Sequence, residues 1–304
     1  MIETIGRGDA RALARAATLV ESGRAGELLK ELFARTGRAL ILGVTGAPGA
    51  GKSTFCDQLV EMLRAEGKTV GVIAVDPSSP YTGGAILGDR IRMQRHHGDP
   101  GVFIRSMASR GNLGGLARAT TDMALLFDAA GRDVVIIETV GVGQDEIDIA
   151  RLADVTVVVL VPGMGDDVQA IKAGIMEIAD VFVINKSDQP GADKLEREIK
   201  AYLSLSHRPD GWTPPVVRTV ASEGKGIGEA LAAIRSCQEA GQARGKAAER
   251  WNFRLREMLR ERLIARLPAA DFAEAAEQVA ARARDPYTVV DELLERITHE
   301  QVRK

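Results

Sequence analysis

Ala39-Leu-Ile-Leu-Gly-Val44-Thr-Gly46-Ala47-Pro48-Gly49-Ala50-Gly51-Lys52-Ser53-Thr54 is the stretch that decides the fold. It opens on a nearly continuous apolar run, the pattern of a strand buried on both faces. It then passes through a full G-x-x-x-x-G-K-S into a helical pattern. Only small, flexible residues let successive backbone N–H groups curl around phosphates, and the helix N-terminus that follows favours negative charge. The spacing therefore predicts a phosphate-binding loop over Gly46–Thr54. Lys52 is expected on the β- and γ-phosphates, and the Ser53 hydroxyl on Mg²⁺.

Similar runs recur after this unit, at Thr69–Val75, Val102–Ile104, Val134–Ile137, Val155–Val161, Val181–Ile184 and Pro215–Val220. Helical stretches separate them. Apolar runs without alternation predict an α/β domain, a P-loop NTPase whose mostly parallel sheet carries helices on both faces. Three segments follow: an N-terminal helical arm over 1–38, a P-loop domain over 39–240 and a C-terminal helical segment over 241–304. In the arm, Leu13, Ala16, Ala17 and Val20 fall on one helical face, as do Leu28/Leu32 and Leu29/Phe33. In the C-terminal segment Trp251, Leu255, Met258, Leu259 and Leu263 form one stripe, and Val289, Val290, Leu293, Leu294 and Ile297 another.

Composition narrows the class. Seven Phe, two Trp and three Tyr leave the core to Ala, Val, Leu and Ile. Forty basic against 42 acidic residues remove the electrostatic case for a nucleic-acid or membrane-surface partner. The longest apolar runs fall well short of the roughly 20 residues a bilayer requires. Charges near the start argue against a secretory leader. The two distant cysteines, Cys56 and Cys237, form no C-x-x-C pair, which fits a cytoplasmic location.

The base is indicated by the run at Val181–Ile184, which leads into Asn185-Lys186-Ser187-Asp188. Guanine presents N1–H and N2–H₂ side by side, and one carboxylate can accept both. Adenine lacks that pair, so Asp188 selects GTP or GDP. Asn185 is expected to brace the loops and Lys186 to lie along the purine. Val220, Ala221 and Ser222 precede a Gly-rich turn where backbone amides could meet the guanine oxygen. Asp76 and Glu138 end the second and fourth runs, where carboxylates can hold Mg²⁺ and its waters. Small GTPases place D-x-x-G where this chain has Glu138-Thr-Val-Gly141. Gln144 comes three residues after Gly141, so a catalytic glutamine does not transfer.

Several strings resemble the MeaB/ArgK/MMAA family of GTPases. They are Val75-Asp-Pro-Ser-Ser79, Gly83-Gly84-Ala-Ile-Leu-Gly-Asp89-Arg-Ile-Arg92-Met93, Phe103-Ile-Arg-Ser106, Gly114-Gly115-Leu116, Glu138-Thr-Val-Gly-Val-Gly-Gln144 and Gly165-Asp166-Asp167-Val-Gln169-Ala-Ile-Lys172-Ala-Gly174. The likeness spans most of 38–230. It implies a G-protein chaperone of an adenosylcobalamin-dependent acyl-CoA mutase, which couples GTP hydrolysis to cofactor loading and mutase protection. By motif it places Lys52, Ser53, Asp76, Asp89 and Glu138 around phosphates and Mg²⁺, with Arg92 close by. It makes Gly163–Lys172 a further switch loop, with Asp166, Gln169 and Lys172 reporting nucleotide state to the mutase. Cobalamin is expected on the mutase, not on this chain, and the C-terminal segment is expected to build a homodimer.

Two other functions share the phosphate loop. A metal-insertion GTPase of the nickel-enzyme maturation type needs a His-rich or Cys-containing site, and only His96 and His97 adjoin. Neighbouring helical residues point about 100° apart, so this pair reads as surface polarity. A P-loop kinase needs a base for an acceptor hydroxyl, and no such constellation is visible. Arg244–Arg266 holds eight basic and three acidic residues, read as a solvated face around the Trp251 stripe.

Overall fold

A computed structural model describes residues 1–76, 93–96, 98–108, 115–139, 152–163, 175–205, 211–240 and 242–299. Asp89, Arg92, Gly141, Asp166, Gln169 and Lys172 lie outside the described residues. All seven apolar runs form strands: β1 Leu40–Thr45, β2 Val70–Asp76, β3 Val102–Ala108, β4 Val134–Glu138, β5 Val155–Leu160, β6 Val181–Ile184 and β7 Val216–Arg218. They make one sheet in the order β3-β2-β4-β1-β5-β6-β7. Every pairing is parallel, with β1 between β4 and β5. Strands β2 to β4 lie on one side of β1 and β5 to β7 on the other. That reversal opens a crevice at the carboxyl end of β1, the ligand position of open parallel sheets.

Two strands depart from their apolar runs. β3 continues past Ile104 through Arg105 and Ser106, which break the apolar pattern. As the outermost strand it carries a polar residue where a partner exists. Arg105 Nε and Nη2 each donate to a Glu21 carboxylate oxygen at 2.6 Å. That contact raises the Arg105 pKa. β7 is only three residues long because Thr219 and Val220 already turn into the loop that follows.

Both faces are covered. Alternate residues of β4 enter opposite layers: Val134 and Ile136 join a core with Leu42, Val44, Phe55 and Leu59, while Val135 and Ile137 pack with Ile73, Met123 and Phe127. The first layer rests on helix α4, Lys52–Ala65. The second takes in the arm helices α1 Ile2–Gly6, α2 Ala10–Glu21 and α3 Gly26–Leu32. Leu13, Ala16, Ala17 and Val20 of α2 are all buried there, and the Asp9 carboxylate caps the helix by accepting from the Ala12 amide at 2.7 Å. Phe33 is half exposed, contrary to its helical spacing with Leu29. α3 stops at Leu32, and the tighter 3₁₀ turn Phe33–Arg35 swings it off the buried face.

Buried carboxylates fix the strand entries. Asp154 accepts from the Ile41 amide and Asp180 from the Thr156 amide, both at 2.8 Å. Asp128 gathers the amides of Gly37, Arg38 and Ala39 as the chain enters β1. His96, read from sequence as surface polarity, is instead buried at 8% exposure. It sits in the turn Gln94–His96, directly after core residue Met93. Its Nε2 lies 2.9 Å from Asp57 Oδ1, and Arg95 binds the other Asp57 oxygen.

The chain forms two compact units, Met1–Ala247 and Ala248–Lys304. In the second, Val289 and Ile297 are buried, whereas Leu255, Leu259, Tyr287, Val290 and Leu294 are exposed. Among the described residues no helix is long and apolar enough to cross a membrane.

Candidate nucleotide-binding site

The loop between β1 and α4 has a backbone that only glycine tolerates at two points. Gly46 has φ +138°, and a Cβ there would lie 2.1 Å from the Val159 carbonyl oxygen. Gly51 has φ +87°, and a Cβ would lie 2.4 Å from Asn185 Nδ2. Both contacts are far inside van der Waals range, so β5 and the Asn185 loop press directly on this backbone. Lys52 is 6% exposed, and its ammonium donates to the carbonyls of Gly46 and Ala47 at 2.8 and 3.1 Å. Those contacts hold the cation in the mouth of the loop.

Ser53 follows on the first turn of α4, and its Oγ donates to Glu138 Oε1 at 2.6 Å. Glu138 ends β4 beside β1, which is why residues 85 apart in sequence meet. Thr139 extends the link: its amide donates to the Val44 carbonyl at 3.1 Å, and its hydroxyl to Thr45 Oγ1 at 3.0 Å. The donor set at this corner is a hydroxyl and a carboxylate, the hard oxygens that Mg²⁺ selects. Asp76 ends β2 in register with Ala108, two strands away from β1.

Asn185 joins three loops. Its Nδ2 donates to the Ala50 carbonyl at 2.8 Å. Its Oδ1 accepts from the Ala221 amide at 3.0 Å and from Thr219 Oγ1 at 3.1 Å. Its own amide donates to the Leu160 carbonyl at 2.8 Å. At 3% exposure it meets these demands with protein groups from β5, the phosphate loop and the segment after β7. The neighbouring Lys186 adopts φ +52°, which costs a non-glycine residue about 1 kcal/mol. Its ammonium donates to the Gly49 carbonyl at 3.1 Å.

Asp188 stands exposed at the end of this loop. Glu223, its hydrogen-bond partner, raises the Lys225 pKa, and the charge of Asp188 adds to the effect. Val220 and Lys225 pair across the turn that contains Ala221 and Ser222. Thr45, Thr139 and Thr219 went unread in the sequence. Their one signal was a hydroxyl residue at or just past a strand's carboxyl end.

A strand–glycine loop–helix unit at the switch point of a parallel sheet, with Lys and Ser at the helix start, defines a P-loop NTPase. Comparisons with known proteins carry the assignment further. Residues 13–272 match the family described as methylmalonyl Co-A mutase-associated GTPase MeaB. The chain belongs to that family, and it is a GTPase. It is 50% identical over 310 residues to a candidate GTPase of Pyrococcus abyssi, covering 98% of this chain and 96% of that protein. It is 44% identical to the GTPase ArgK of Escherichia coli, over 81% of this chain and 77% of the relative. A crystal structure described as the LAO/AO transport system kinase superposes with a TM-score of 0.74 at 32% identity, covering 98% of this chain and 96% of that one.

Proposed function

We propose that the chain is a GTP-driven chaperone that gates cofactor loading into an adenosylcobalamin-dependent acyl-CoA mutase and protects that mutase. The observation that carries the reading is the junction at Asn185, where a base-reading loop and a phosphate loop are held as one body. Membership of a family described as mutase-associated supplies the partner class. A mouse relative, 39% identical over 80% of this chain and 63% of its own length, is named the methylmalonic aciduria type A homolog.

In this reading the amides of Gly46–Thr54 receive the phosphates, and Lys52 exchanges its two loop carbonyls for β- and γ-phosphate oxygens. Ser53 and Glu138, with Asp76 and Asp89, hold Mg²⁺, which when bound offsets phosphate charge. Arg92 is assigned by the family likeness to the neighbourhood of these residues. Asp188 reads guanine, Lys186 lies along the purine, and Ala221 with its neighbours Val220 and Ser222 meets the guanine oxygen. Fixed donors that face charge developing on the transferring phosphoryl group lower the barrier to in-line attack by water. Asp166, Gln169 and Lys172 form the switch that the mutase reads. Residues 39–240 are the GTPase domain, 1–38 the arm and 241–304 the dimerisation segment, with exposed Leu255 and Leu259 facing a second copy in a cytoplasmic homodimer. Cobalamin stays with the mutase.

Gln144 comes three residues after Gly141 and does not take the water-orienting place of small GTPases, so hydrolysis is slow until the mutase completes the site. Single-turnover hydrolysis of GTP is expected to accelerate when a purified cognate mutase is added, on the order of tenfold or more. Equally fast turnover without the mutase overturns this reading. Inorganic phosphate as the product, rather than label transfer from γ-labelled GTP to an acceptor, separates it from a kinase. Absence of nickel or zinc binding in equilibrium dialysis separates it from a metal-insertion GTPase.

A further inference from the structure

At the amino end of β3, the opposite end of the strands from the phosphate loop, lies a cavity of about 320 Å³. His96, Asp99, Val102, Phe103, Ile104 and Arg132 line it. Its volume falls in the range of small-molecule sites, which pair apolar walls with a few polar groups. Arg132 is the unusual member. It is only 4% exposed, and its Nε meets no hydrogen-bond partner among the described residues. One Nη donates to the Pro100 carbonyl at 3.2 Å.

A guanidinium stays charged under all ordinary conditions, so this is a buried cation in want of a counter-charge. The carboxylate in the cavity lining, Asp99, is committed elsewhere. Asp99 takes Arg64 Nε and Nη2 at 2.7 and 2.9 Å, and also accepts from the Gly101 amide at 2.7 Å. Arg64 in turn adds like charge. Burial first, then Arg64, push the Arg132 pKa down, and Asp99 only partly opposes them. His96 brings no negative charge, and Asp57, its neighbour, is held by Arg95. The start of β3 brings apolar residues to the lining from both faces of the sheet: Val102 and Ile104 from one layer, and Phe103 from the other, braced edge-on against Phe127 at a ring separation of 5.4 Å.

We propose that this cavity binds a small organic anion, its charged end against Arg132 and its apolar part along the apolar start of β3. Nothing in the GTPase site requires Arg132, so the two functions are separable.

The test uses the full chain saturated with GDP, so that the phosphate loop is filled, and ligand-observed NMR titration with butyrate and with n-butanol. Butyrate should bind saturably, and butanol, which lacks the charge, about tenfold or more weakly. Arg132→Gln should weaken butyrate by about the same factor while GDP affinity is unchanged. Ala10, an exposed residue at the cavity mouth, provides a second variant that leaves the core alone. Ala10→Phe should block butyrate by filling the space. Absence of saturable butyrate binding overturns the proposal. So does equal binding of butanol, or butyrate binding that survives both substitutions.

Discussion

Asp188→Asn is expected to weaken GTP binding by about a thousandfold, the loss of two charge-assisted hydrogen bonds worth roughly 1.5–3 kcal/mol each. Asp188 is exposed and lies outside the apolar cores, so the fold should survive the change. The new amide group would point an N–H at the guanine amine, two donors face to face. Xanthine carries a carbonyl in place of that amine and keeps N1–H, so it offers one acceptor and one donor to the Asn side chain. XTP should therefore become the preferred nucleotide, and ATP should stay excluded. Equilibrium binding with fluorescent GTP, XTP and ATP analogues measures all three. An Asp188→Asn variant that still prefers GTP removes Asp188 from base recognition.

Asn185→Ala is the larger change to the protein itself. It deletes one donor and one acceptor that between them serve the Ala50 carbonyl, the Ala221 amide and the Thr219 hydroxyl. Each partner is a polar group at a site that is 97% closed to water, given the 3% exposure of Asn185. Leaving three such groups unmatched should destabilise the chain by about 3–5 kcal/mol. Denaturant unfolding measures this as a lower midpoint at unchanged slope. Asn185→Asp separates the two halves of the junction. It keeps the acceptor for Ala221 and Thr219, but sets a carboxylate against the Ala50 carbonyl. That buried charge facing a carbonyl oxygen should cost stability as well as nucleotide affinity. A cost below about 1 kcal/mol for the alanine variant would contradict a bridging role, since one ordinary buried hydrogen bond is worth that much.

The sheet could be read almost whole because strands buried on both faces leave unbroken apolar runs. Val134–Ile137 and Val155–Val161 need no tertiary information to be recognised. β3 was truncated in the reading because Arg105 is tolerated only through Glu21, a residue of another element 84 positions away. His96 was misplaced for a related reason. Its burial depends on Asp57, and local periodicity carries no information about such a partner. At the site, motif letters located the loops but not their junction. Strand order alone sets Glu138 beside Ser53 and β6 next to β5, where Asn185 can reach Ala50. Asp128, Asp154 and Asp180 look in sequence like loop acids, yet each satisfies backbone amides at a strand entry. A carboxylate of that kind has no one-dimensional signature.

Under the proposed function, the nucleotide held at the β1 loop decides how the chain engages a mutase. The direct measurement is the equilibrium affinity of the purified chain for methylmalonyl-CoA mutase, loaded in turn with a non-hydrolysable GTP analogue and with GDP. A switch that biases one of two states by about 1.4–3 kcal/mol predicts dissociation constants that differ by tenfold or more. Asp188→Asn should abolish that difference in GTP analogue and restore it in XTP analogue. Equal affinities in both nucleotide states, with binding to the mutase intact, would contradict the account.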